Sequence, residues 1–263
     1  MHALRVRATA SQFNGDAVVS HQSAAAMHGL PIIGPWPERV HVRLPGAPGG
    51  SSSPGIVRHR APFDDHPVVI DGVRVTSLVR TLVDVAATDS MLVAVTMMDA
   101  ALRTGGVTKT SIMTVLDGGA GIRGARKAVA AVERADGRSG SPGESLSRVR
   151  MLQLRYQHPE LQVAVETIHG RFETDFRWPR VRRFGEFDGY LKYTRNRETR
   201  GRSIEDIVLA EKVREDAIRA RTGDSFLRWL WRDALVPATF DRMLRDAGIP
   251  SLRGIASSAH GSA

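Results

Sequence analysis

Asp175, Glu186, Asp188 and Lys192 are the residues of this chain best placed for chemistry: three carboxylates and an ammonium that together suit a divalent metal and a phosphate. They lie in Phe-Glu-Thr-Asp-Phe-Arg-Trp-Pro, residues 172–179, and Phe-Gly-Glu-Phe-Asp-Gly-Tyr-Leu-Lys, residues 184–192. Side chains on a strand alternate faces, so Glu186 and Asp188 share one, and Glu173 and Asp175 face away from Phe172, Thr174, Phe176 and Trp178. If the two segments pair as neighbouring strands, Asp175 approaches Glu186 and Asp188. Hard cations such as Mg²⁺ take one or two carboxylates plus phosphate oxygens and water. Carboxylates crowded without a cation repel one another and resist ionisation. The same residues also fit a plainer reading, with Asp188-Gly189 as a hairpin turn and the acids as a solvated strand face.

Arginines flank this acidic centre. Arg177, Arg180, Arg182 and Arg183 precede the Glu186 strand, and Arg195, Arg197, Arg200 and Arg202 follow it. Two basic loops around an acidic centre are what a protein needs to attract a polyanion and still bind a cation, although solvated loops carry arginine too. The formal net charge of +9 and pI near 10.8 point the same way, toward nucleic acid before membrane. With no cysteine, disulfides and thiolate zinc sites are excluded, as fits a reducing compartment. Residues 1–16 lack the apolar core of a secretory signal and no apolar run reaches membrane-spanning length, so the chain reads as cytoplasmic.

The elements that must position these residues follow from periodicity and punctuation. Ser20 caps a helix over His21 to His28 that stops at Gly29. Arg39 to Arg43, Ile56 to Arg60 and Pro67 to Ile70 read as strands, and Asp71-Gly72 turns the last into Val73-Arg74-Val75. Helices then start at Ser77 and Ser90, the latter running to Arg103, and continue over Thr110 to Leu116 and Arg123 to Ala135. Asp136 to Gly143 is the clearest linker. Beyond it come a helix, Glu144 to Gln157; strands Leu161 to Ile168, Arg171 to Trp178 and Arg183 to Asp188; a helix, Ile204 to Arg221; a strand, Ser225 to Trp231; and a helix, Pro237 to Ala247. Residues 248–263 read as a flexible tail. His21 and His28 share a helix face, but with no third ligand in view they read as packing residues. Trp229 and Trp231 read as alternating core positions on the last strand.

The second half, helix, three strands, helix, strand, resembles the restriction-endonuclease-like or PD-(D/E)xK fold. More narrowly, it resembles domains related to the very-short-patch-repair endonuclease in actinobacterial proteins. The residues carrying this are Ser141-Pro142-Gly143-Glu144-Ser145 with Arg148, Glu160-Leu161-Gln162, Thr174 to Pro179, Glu186-Phe187-Asp188-Gly189 and Glu211-Lys212-Val213-Arg214-Glu215-Asp216. The first half is similar to AbiEi-type antitoxins, repressors of type IV toxin-antitoxin operons, through Val19 to Ala25, His28 to Pro31, Asp71 to Ser77 and Arg80 to Asp84. Many of those carry an N-terminal winged helix, for which Met1 to Ala17 is too short; either the annotated start is late or that head has been lost.

These resemblances imply an α+β domain over residues 18–135 after a short N-terminal segment 1–17. A linker at 136–143 then leads to an α/β nuclease-like domain over 144–247 with an α-β-β-β-α-β core and a mixed sheet. They imply Asp175 and Glu186 as ligands of Mg²⁺ or Mn²⁺, Glu144 as an accessory acid that is equally well a helix N-terminal acid, and Asp188 where the standard pattern has lysine. Lys192 stands where the repair enzymes often have histidine, able to stabilise a phosphate by charge but a poorer proton shuttle. Lys212 and Arg214 face DNA phosphates or form helix-surface ion pairs. The function implied is a metal-dependent DNA endonuclease or nicking enzyme in repair or mobile-element defence. Open beside it stand a non-catalytic DNA-binding regulator or antitoxin, and a protein that neutralises a cognate toxin by contact.

Overall fold

Turn and cap residues set most element boundaries in the computed structural model, which describes residues 1–10, 17–44, 52–59, 66–118, 122–189 and 204–253. The chain is α+β and divides into two units, Met1–Gly137 and Arg138–Ala263.

Unit 1 begins with α1 (His2–Ala10), so residues 2–10 of the short N-terminal segment are helical, and Val6 there is fully buried. Then follow β1 (Val18–Val19), α2 (His21–Met27), β2 (Val40–Arg43), β3 (Ser52–Ser53), β4 (Ile56–His59), β5 (Val68–Ile70) and β6 (Val73–Val75). The strands form one mixed sheet in the order β3-β4-β2-β1-β6-β5. Asp71 and Gly72 both have positive φ, the conformation a two-residue hairpin requires, and join β5 to β6. Val6, Val19, Ala24, Met27, Val40, Val42, Val73 and Val75 form the core between this sheet and helices α1 and α2. Ser77 and Ser90 cap α3 (Leu78–Thr88) and α4 (Met91–Arg103), each accepting a backbone N–H at 3.2 Å, worth about 1 kcal/mol apiece. With α5 (Lys109–Gly118) and α6 (Ala125–Arg134) they bury Leu82, Val83, Met97, Met98, Ile112 and Ala128.

Unit 2 runs α7 (Pro142–Gln153), β7 (Glu160–Thr167), β8 (Gly170–Trp178), a 3₁₀ turn, β9 (Arg183–Phe187), α8 (Ile204–Thr222), β10 (Ser225–Trp229), α9 (Trp231–Leu235) and α10 (Pro237–Asp246). Strands β7, β8 and β9 form an antiparallel meander, and β10 adds parallel to β9, so the sheet is mixed in the order β10-β9-β8-β7. Parallel addition needs a crossover connection, which includes α8. One sheet face buries Phe176, Trp178 and Trp229 with Phe240 of α10. Gly185 lies between the two indoles, where a Cβ would sit 2.7 Å from Trp229 and 2.9 Å from Trp178. On α8, Ile218 packs with Val165 and Phe184.

Three expectations change here. Helix α7 ends at Gln153 rather than Gln157. Trp231 opens α9 and is no strand residue; only Trp229 belongs to β10. The start of the expected tail is docked: Ile249 is buried, Tyr156 and Ser251 form a β-bridge, and the Gln157 N–H donates to the Pro250 carbonyl at 2.9 Å. Backbone pairing with the segment after α7 outweighs the small, polar composition of those residues.

Candidate functional site: an arginine-closed carboxylate pair

The register of β8, β9 and β10 decides which sequence candidates meet. Phe176 pairs with Gly185 and Arg177 with Phe184, which brings Asp175 alongside the Glu186 end of β9. The Asp175 carboxylate accepts the Phe187 backbone N–H at 2.8 Å. On the other side of β9, Glu186 pairs with Arg228 of β10. Strand alternation and register therefore gather Asp175, Glu186 and Arg228 at one end of the central strands.

Glu186 is 4% exposed. Its Oε1 accepts from Arg214 of α8 at 2.8 Å, and Arg214 also donates to Glu211 at 2.9 Å and to the Glu173 carbonyl. Burial pushes the Glu186 carboxyl above its ordinary range, the Arg214 hydrogen bond and charge pull it back, and the nearby Asp175 charge raises it again. Asp188 is partly buried and receives two 3.3 Å contacts from Arg228, which also reaches Glu211 at 2.6 Å and Glu215 at 3.0 Å. Glu211 and Glu215, four apart, are one helical turn apart on α8, and Arg228 bridges both. Arg228 went unnoticed in the sequence because its partners lie far from it in the chain, at the end of β9 and on α8.

Glu144 has partners of its own. Its carboxylate accepts from the Gly140 N–H at 2.7 Å, the Ser141 hydroxyl at 2.8 Å and the Gln162 amide at 2.8 Å, while Ser141 Oγ accepts the Glu144 N–H at 3.2 Å. This is a capping arrangement at the start of α7, with Pro142 in the first turn. Gly143 is required by close packing: a Cβ there would lie 2.0 Å from the Phe187 ring. Ser147 donates to the Gly143 carbonyl and accepts from the Trp229 indole, both at 2.7 Å. Ser141, Pro142, Gly143 and Glu144 of this run thus each have a structural role.

The first arginine loop is partly spent on structure. Arg177 and Arg182 both pair with buried Asp224, at 2.9 and 3.4 Å, and Arg177 lies over the Phe184 ring. Arg180 is exposed, Arg183 is half-buried, and Lys212 is exposed on α8. Lys192, Arg195 and Arg197 lie outside the described residues, as do Arg200 and Arg202.

Two carboxylates on adjacent strands are a suitable donor set for a hard divalent cation, so Asp175 and Glu186 fit Mg²⁺ or Mn²⁺ in chemistry. In the geometry seen, Arg214 supplies the positive charge that such an ion would bring to Glu186. An ion held by the pair would share Glu186 with this guanidinium, which already occupies Oε1.

In unit 1 three histidines far apart in sequence meet. His21, His41 and His59 place one ring nitrogen each within 4.8 Å of the others. This corrects the view of His21 as a packing residue lacking further ligands; its companions come from β2 and β4, and the strand patterns of residues 39–43 and 56–60 were the available signal. His28 serves elsewhere, bonded through Nε2 to the Thr76 carbonyl at 2.8 Å.

No protein-family model matches the chain, and no curated protein matches it. Among solved structures, it is similar at a TM-score of 0.35 and 16% identity to the crystal structure of RV2827C protein from Mycobacterium tuberculosis, over 63% of this chain. The match spans 64% of that protein's length, less than two thirds. Among the described residues no helix is long and apolar enough to cross a membrane.

Proposed function

We propose that unit 2 is a restriction-endonuclease-like unit that nicks or cuts DNA with Mg²⁺ or Mn²⁺, and that Arg214 closes its carboxylate pair in the resting state. The observation supporting this most is the convergence of Asp175 and Glu186 on adjacent central strands of a mixed sheet. Asp175 and Glu186 would hold the ion, which supplies phosphoryl polarisation and a more acidic attacking water. Asp175 is oriented for this by the Phe187 N–H, which fixes one carboxylate oxygen. Arg214 opposes the effect of burial on Glu186, and it stands beside the pair as a phosphate-binding cation. Exposed Arg180 and Lys212 add charge for the DNA backbone. Repair or mobile-element defence is the setting we infer for such an activity.

A second reading, a non-catalytic DNA-binding regulator or a toxin-neutralising antitoxin, draws on a specific observation. Arg214 on Glu186 and Arg228 on Asp188 balance the acids without any metal. Supercoiled, linear duplex and single-stranded DNA, incubated with Mg²⁺ or Mn²⁺, separate the two. Cleavage by the wild-type chain, lost in Asp175→Asn and Glu186→Gln with unchanged circular dichroism, supports the enzyme. Absence of cleavage on every DNA form, with wild type and both variants binding DNA alike, establishes the second reading instead.

A further inference from the structure

The histidine cluster of unit 1 is assembled by the fold. His41 and His59 lie on adjacent parallel strands β2 and β4, where His41 pairs with Val57 and Arg43 with His59, so both rings project from one sheet face. His21, the first residue of α2, is brought over them because the Ser20 N–H donates to the His41 carbonyl at 2.9 Å. His59 Nε2 and His41 Nδ1 are 3.0 Å apart, and the His21 and His59 rings stack with centroids 3.6 Å apart.

We propose that His21, His41 and His59 form a binding site for one divalent transition-metal ion of the zinc class. Four observations carry it. Zinc–nitrogen bonds of about 2.0–2.1 Å in tetrahedral geometry place neighbouring ligand nitrogens about 3.3 Å apart, close to the 3.0 Å between His59 and His41. His21 is held at φ 54, a left-handed conformation that a non-glycine residue adopts at a cost and that persists where surrounding structure enforces it. Its Nδ1 has the outer partners a metal-bound imidazole uses, Ser20 Oγ at 3.0 Å and the Asp84 carboxylate at 3.9 Å, leaving Nε2 for the ion. Asp84 in turn takes Arg43 at 2.5 Å and Arg80 at 2.9 Å, so the neighbouring guanidinium charges are partly balanced.

An all-imidazole set without thiolate suits Zn²⁺, Co²⁺, Ni²⁺ or Cu²⁺ rather than Mg²⁺. Three protein ligands leave a fourth position for water or a solvent-borne ligand, reached past His41 and His59, which are only half-buried. The site lies wholly in unit 1 and is independent of the function proposed for unit 2.

The untagged full chain, stripped with chelator, is titrated with Co²⁺ and with Zn²⁺ and followed by visible absorption and metal analysis. One ion per chain is expected, with an X-ray absorption spectrum showing three imidazoles. His59→Gln should weaken binding by more than about 100-fold, beyond the loss typical of outer-sphere changes, and His169→Gln, on unit 2, should leave it unchanged. A wild-type chain that binds no ion, or an ion whose spectrum shows an oxygen-only shell, overturns the site without reference to any variant. So does binding that survives His59→Gln at full strength; the cluster is then a set of stacked neutral histidines sharing one N–H.

Discussion

Replacing Arg214 by alanine strips Glu186 of its direct cationic partner, and the resulting penalty should depend on pH in a defined direction. The Glu186 side chain is 5% exposed and Arg214 17%, so the pair counts as buried, and removing one member of such a pair costs about 3–5 kcal/mol. Arg228 remains opposite Glu186 in the register of β10, which places the loss near the lower end, about 3 kcal/mol. At about 4 °C per kcal/mol for a unit of this size, unit 2 should melt roughly 12 °C lower near pH 7.5. Glu186 has a raised proton affinity because burial outweighs the Arg214 contacts. A carboxyl raised in the folded state favours folding most when protonated, and stability falls as pH climbs from the unfolded value through the folded one. Arg214→Ala removes the contributions that hold that affinity down, so it climbs further. The penalty should therefore be full at neutral pH and shrink toward acid pH, as Glu186 takes up a proton. Glu186→Gln removes the charge and should make Arg214→Ala much milder, leaving a coupling of about 2 kcal/mol in the double-mutant cycle. Denaturant unfolding of the four proteins at pH 5 and pH 7.5, read by tryptophan fluorescence, provides the numbers. Equal penalties at both pH values, or an Arg214→Ala effect unchanged by Glu186→Gln, would refute the buried, coupled pair.

Two further outcomes follow from packing and charge. Gly143→Ala should destabilise unit 2 by about 1–3 kcal/mol, because the new methyl overlaps the Phe187 ring; a thermal melt unchanged from wild type contradicts that close approach. Asp224→Asn should release Arg177 and Arg182 and steepen the salt dependence of DNA binding by about one to two counterions, and an unchanged slope in fluorescence anisotropy means those arginines stay out of the interface.

Much of the fold was legible in sequence because its signals are local. Ser77 and Ser90 sit at helix starts they cap, and Asp71-Gly72 is a hairpin with the backbone sign that pair favours. Glu186 and Asp175 were legible too, since strand alternation and adjacency needed only the meander to be right. What sequence could not supply was the partner list. Arg214 and Arg228 reach Glu186 from 28 and 42 positions away, and whether an arginine serves DNA or a neighbouring carboxylate depends on tertiary placement alone. Glu144 shows the limit in reverse: the motif around it was visible, but capping and an active-site role use the same acid at the same position, and the sequence does not show the Gly140, Ser141 and Gln162 contacts that its carboxylate makes. The histidines were hidden because β2 and β4 are neighbours in the sheet and not in the chain.

The crossover that carries β10 beside β9 has a consequence for how the chain is made. Until α8 and β10 have left the ribosome, β9 is the outer strand of a three-stranded meander, with Phe184 lacking its cover from Ile218 and Phe226 and one row of backbone groups open to any passing strand. Glu186 sits in the middle of that edge, an ionised gatekeeper against edge-to-edge association for as long as its arginines have yet to arrive. The same carboxylate that is costly to bury in the finished protein therefore protects the nascent one.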